Sequence, residues 1–122
     1  MGYDTNFTLL LYNKQEGHAE QAKKKFSKVF DDIEKQSGYT LSIRDEESGI
    51  AYLNDAHWYD CEADLQKVSR KHHDIIIVAK GEGEQRDDNW EARFLDGNIE
   101  SVRARIVWPP FKEILIGNEN QG

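Results

Sequence analysis

Cysteine is nearly missing from this sequence: Cys61 is the single one among 122 residues. One thiol closes no internal disulfide and, alone, builds no structural zinc site. A reducing compartment, the cytoplasm, is therefore the expected location. Proline is almost as scarce, two residues side by side at Pro109 and Pro110. With no proline-rich linker, one domain over residues 1–116 is expected, followed by a mobile polar tail at 117–122. No apolar run approaches the roughly 20 residues that a membrane helix needs. Met1 to Phe7 shows no basic segment leading into an apolar one, so neither a membrane span nor a secretory signal is expected. Positive charge is in deficit, 16 Lys and Arg against 23 Asp and Glu, which leaves a net charge of −7. That balance argues against a general nucleic-acid or anionic-membrane binder, whose footprint is basic.

What is present is a regular succession of short apolar patterns. Phe7 to Tyr12 is apolar on both faces, as in a buried strand. Ala19, Ala22, Phe26, Val29, Phe30 and Ile33 recur at helical spacing among Lys, Gln, Asp and Glu. They predict an amphipathic helix from about Glu16 to Gln36, closed by Gly38. Tyr39, Leu41 and Ile43 alternate with polar residues, the period of a half-buried strand. The charged turn Arg44 to Gly49 leads to a returning strand at Ile50 to Leu53. Asp60 is an expected N-cap of a second helix, with Glu62 and Asp64 suited to its positive terminus. Cys61, Leu65, Val68 and His72 share one face of that helix, which ends before Asp74.

Ile75 to Ala79 is the most apolar, β-branched run, the pattern of a strand covered on both faces. Asp96-Gly97, between Trp90–Leu95 and Ile99–Val107, is a strong hairpin signal. The order β-α-β-β-α-β is that of a ferredoxin-like split βαβ domain, here extended by a C-terminal hairpin. An α+β fold follows, with a mostly antiparallel six-stranded sheet ordered 2-3-1-4-5-6 and two helices on one face. The added hairpin would shield Ile75–Ala79 from being an exposed edge. The face away from the helices is left over for binding.

Two segments concentrate unusual side chains. His57, Trp58 and Tyr59, just before the second helix, are residue types enriched at binding surfaces; the competing reading is a packed loop with Trp58 folded over the end of the sheet. From Gly81 to Trp90 the chain carries Glu82, Glu84, Asp87 and Asp88. These carboxylates lack the spacing of an EF-hand loop, and Gly81 and Gly83 are not part of a dinucleotide loop. The stretch reads as a strand running into a polar hairpin loop, with Gly81 and Gly83 leaving room for a bulge or for close aromatic packing. His57 and Cys61 lie four residues apart without a second ligand pair, so no metal site is predicted, and no cofactor is. A Cys61–His nucleophilic pair has no orienting third group in sequence. Arg103 and Arg105, close to Trp90 and Trp108, suit an acidic partner, a stacked base or edge protection.

His57-Trp58-Tyr59-Asp60, Asp64-Leu65, Ser69, Ile75–Val78, Gly81-Glu82-Gly83-Glu84, Asp88, Trp90, Phe94 and Gly97 together resemble a small module of uncharacterised bacterial, prophage and mobile-element proteins. It is similar in layout to the ferredoxin-like C-terminal domain of antirestriction-associated plasmid and phage proteins. The likeness covers Asp55 to Gly97. His73 stands where that pattern has proline, Gln85 where it has Glu and Asn98 where it has Lys. The resemblance implies a phage or mobile-element origin and an accessory role, and carries no catalytic residue across. The expected function is a non-catalytic interaction protein that binds a host or phage macromolecule, a protein more readily than a nucleic acid, with countering a defence system or modulating an enzyme as the two roles in view. His57, Trp58, Tyr59, Glu82, Glu84, Asp87, Asp88 and Trp90 are its candidate partner-binding residues. Two alternatives stand beside it: a small enzyme using carboxylates and histidines of the 55–60 and 82–88 loops, and a nucleic-acid binder using the sheet face.

Overall fold

The computed structural model of the chain describes residues 5–14, 19–83 and 89–103. Its elements run β1 (Thr5–Asn13), α1 (Ala19–Ser37), β2 (Ile43–Asp45), β3 (Ile50–Ala56), α2 (Cys61–Lys71), β4 (Ile75–Glu82), β5 (Asn89–Leu95) and β6 (Asn98–Arg103). The six strands form one antiparallel sheet in the order β2-β3-β1-β4-β5-β6. This is the α+β, ferredoxin-like arrangement with the hairpin added beyond β4, as the order of apolar patterns predicts. The expected helix start at Glu16, strand residues 104–107 and the tail at 117–122 lie outside the described residues.

Alternation along the strands decides the layers. Phe7, Leu9 and Leu11 of β1, Ile75, Ile77 and Ala79 of β4, and Ala92 and Phe94 of β5 are buried. They join Phe26, Val29, Phe30 and Ile33 of α1 and Leu65 and Val68 of α2 in a single core. The intervening strand residues face away from the helices, and there Tyr12 is 53% and Tyr52 39% exposed. Cover on β4 is therefore unequal. Its helix-side residues are sealed, whereas on the other side Val78 is buried, Ile76 half-buried and Lys80 exposed.

Two expectations need correction. The strand predicted at Tyr39–Ile43 is instead β2 at Ile43–Asp45. The end of α1 takes up the backbone donors that a strand would have used: Tyr39 N donates to Ser37 Oγ at 3.1 Å and Leu41 N to Glu34 Oε2 at 2.8 Å. Leu41 is buried as part of a connection, and its alternation with Tyr39 reflects packing without a ladder. Asp60 does sit at the N-cap of α2, but its side chain makes no capping bond. Its carbonyl instead accepts Asp64 N at 2.8 Å.

Close approach demands glycine at two places. A Cβ on Gly49, at φ +73°, would lie 2.9 Å from Leu11 O and against the Phe26 ring. At Gly81 it would lie 2.2 Å from the indole of Trp90. The latter is the aromatic packing that was one of the two roles expected of that glycine, and it seats Trp90 against β4 at its register partner.

Candidate partner-binding cleft

Register brings the two unusual segments to the same end of the sheet. β1 pairs Thr5 with Ala56 on one side and Asn6 with Glu82 on the other. The segment after β3 and the end of β4 therefore flank the start of β1. Phe7 forms the link: its ring meets Trp58 edge-on at 5.4 Å and Trp90 edge-on at 5.9 Å. A bulge in β3 directs the chain towards α2. Asp55 adopts φ +54° and its N–H is held by Asn6 Oδ1 at 2.9 Å.

The candidate residues divide by exposure. Trp58 is 6% exposed, and its indole N–H donates to Asp64 Oδ2 at 2.7 Å. It packs over the sheet end, with Tyr39 on its far side at 6.3 Å, and so props up the first turn of α2. Trp90 is half-buried on Gly81. His57 and Tyr59 stand outward with their rings 6.2 Å apart, and Tyr59 is 74% exposed. Glu82 is exposed at the end of β4, where it borders a separate shallow groove with Gly81 and Asn89. Glu84, Asp87 and Asp88 lie outside the described residues.

Between the first turns of α2 and the β5–β6 hairpin lies a cleft of about 580 Å³. Phe7, Trp58 and Trp90 give it an aromatic floor; Asp60, Glu62 and Gln66 form the helix wall, and Ile99, Ser101 and Arg103 the strand wall. The cleft was not foreseen from the sequence. Its signal was present in β6, where Ile99, Ser101 and Arg103 alternate onto the helix side of a strand that no helix covers fully. Asp60, Glu62 and Arg103 are exposed and have no ion-pair partner among the described residues. The two walls thus present opposite charges across an aromatic base.

The far end of the same hairpin is clamped. Asp96 and Gly97 both have positive φ, as a two-residue type I′ turn requires. Gly97 N donates to Ser69 Oγ at 2.8 Å, Gln66 Nε2 donates to Gly97 O at 2.6 Å, and His73 Nδ1 lies 2.6 Å from Asp96 Oδ1. Helix α2 thereby fixes the turn and leaves the other end of the hairpin open at the cleft.

Cys61 also borders the cleft, but is itself buried. Burial, reinforced by Glu62 and Asp64, pushes its thiol well above the usual cysteine value. It is kept as the neutral thiol, which is a poor nucleophile. Among the described residues no three His, Cys, Asp or Glu side chains are grouped as a metal site would need. No described helix is long and apolar enough to cross a membrane. No protein-family model, no curated protein and no solved structure matches the chain.

Proposed function

We propose that this chain is a non-catalytic interaction protein whose cleft-bearing end engages a partner macromolecule. The observation that carries the reading is the juxtaposition of Tyr59, 74% exposed, with a cleft whose rim charges Asp60, Glu62 and Arg103 are unpaired among the described residues. Exposed aromatics beside a desolvated floor are the usual anchors of protein contacts. The side chains nearest to chemistry there are committed elsewhere: Asp64 is bonded to Trp58, and Cys61 is buried as the neutral thiol. The likeness of the 55–97 stretch to phage and mobile-element modules supports a partner belonging to a host defence system.

Site-specific photo-crosslinking inside the producing cell tests this. A photoreactive phenylalanine analogue at position 59 is expected to capture one discrete species. The same probe at Tyr12, on the face away from the helices, captures none. Protease and nuclease digestion then identify the class of the captured molecule. Absence of a species at position 59, or the same species at both positions, defeats the reading.

A further inference from the structure

The six residues of β6 are all exposed, and among the described residues the sheet ends with this strand. Its hydrogen-bond phase follows from the turn. Leu95 and Asn98 close a two-residue loop and so form a hydrogen-bonded pair; Arg93 with Glu100 and Glu91 with Val102 repeat it. Ile99, Ser101 and Arg103 fall between, so their N–H and C=O groups point away from β5. The same three residues line the cleft beside α2. Among the described residues, a backbone row without a ladder partner and a side-chain groove therefore coincide on one strand, the combination that strand addition uses: the ladder supplies affinity and the pockets supply specificity.

We propose that β6 accepts an added strand from a basic, extended segment of a partner macromolecule, whose alternate side chains enter the cleft beside α2. This rests on the interaction reading above and specifies how the partner docks. The charge of the occupant follows from the balance of the walls. Side chains entering over Ile99 and Ser101 meet a cleft with two carboxylates, Asp60 and Glu62, against the one guanidinium of Arg103, none with a described ion-pair partner, on a molecule of net charge −7. Such a balance attracts lysine or arginine and repels an acidic segment. It also disfavours a second copy of this chain, which carries the same charge. On the opposite face of the added strand, apolar side chains would cover Val102, which is 62% exposed.

The probe is a fluorescein-labelled peptide of alternating lysine and valine, titrated against the full chain by anisotropy. Binding is expected, with slowed amide exchange at Ile99, Ser101 and Arg103. A peptide of alternating glutamate and valine should bind at least about tenfold more weakly. Ser101→Pro removes an outward N–H without touching the β5 ladder and should weaken binding at least about tenfold. If Ser101→Pro fails to fold, the amide-exchange pattern of the unsubstituted chain decides. No binding, equal binding by a folded Ser101→Pro protein, or unchanged exchange at those three amides overturns the proposal. So does a dimer whose three amides are protected without peptide, since the occupant would then be a second copy. A species captured from position 59 equally well in Ser101→Pro sinks strand addition and leaves the interaction reading standing; no species in the unsubstituted chain sinks that reading itself.

Discussion

At one margin of the sheet, β2 is three residues long and tied down; at the other, β6 is six residues long and exposed along its length, with no strand beyond it among the described residues. Arg44 makes the first edge. Its guanidinium reaches Asp31 at 2.9 Å and Glu34 at 2.8 Å on α1 and Glu46 at 2.7 Å in the turn, and lies 5.5 Å above the Phe30 ring. Burial works against that charge, but the bond to Asp31 and the fields of Asp31, Glu34 and Glu46 outweigh it and raise its proton affinity. Arg103, the matching arginine of β6, has no described ion-pair partner. A short edge whose cation is spent on a helix offers nothing to an incoming strand. A long edge whose cation and backbone have no described partner is what the strand addition proposed above requires, since exposed edges of that kind are normally blunted.

The sharpest way to break the comparison is to remove both arginines in turn. Arg44→Met should cost about 3 kcal/mol in urea unfolding, because it leaves the largely shielded Glu34 and Glu46 without their cation and frees the turn that holds β2. Arg103→Met should stay within about 0.5 kcal/mol. Equal losses would mean that both edges are structural. Next in size is Gly81→Ala. The new methyl collides with the Trp90 indole, a rigid ring, so about 2 kcal/mol of overpacking strain is expected together with a changed near-ultraviolet circular dichroism signal. That variant tests whether the aromatic floor of the cleft depends on the open side of the sheet.

Ser69→Ala probes the clamp at the turn. Ser69 is fully buried and its hydroxyl accepts Gly97 N–H. Loss of about 1–2 kcal/mol is expected, with faster amide exchange at Gly97 and across β6 but not at β2. The smallest effect lies between the two edges, where Lys25 of α1 donates to Asp74 before β4. That bond first, despite some burial, holds the Asp74 carboxyl below its ordinary value of 3.8. A carboxyl with a lowered folded value stabilises the fold above its unfolded value and loses that contribution as pH falls through the folded one. Lys25→Met should therefore cost under about 1 kcal/mol at neutral pH, both ends being partly exposed. The unfolding curves of variant and parent should converge in strong acid; a constant gap at all pH values would show that the bond is not the source.

Much of the sheet was legible because its signals are local. Asp96-Gly97 names its own turn, and the β-branched run at Ile75–Ala79 can be satisfied only inside a sheet. Tyr39–Leu41 misled because side chains of α1 compete for its backbone, a non-local fact. Of the candidate residues, His57 and Tyr59 stand outward, Trp58 is a buried prop, and Trp90 is a floor. Whether an aromatic anchors a partner or a core depends on what lies beneath it, and here that is Phe7, some fifty residues earlier than Trp58.

By itself, the sequence determined which residues alternate, where the helices and the tight turn fall, and hence the order of strands; these follow from side-chain period and turn stereochemistry within a few residues. Only the tertiary structure decided that Arg44 closes one edge and that nothing described closes the other. It alone set the β6 hydrogen-bond row beside a cleft walled by α2. Those are distances between segments remote in the chain, and they arise from packing both helices on one side of a sheet whose last strand extends past them.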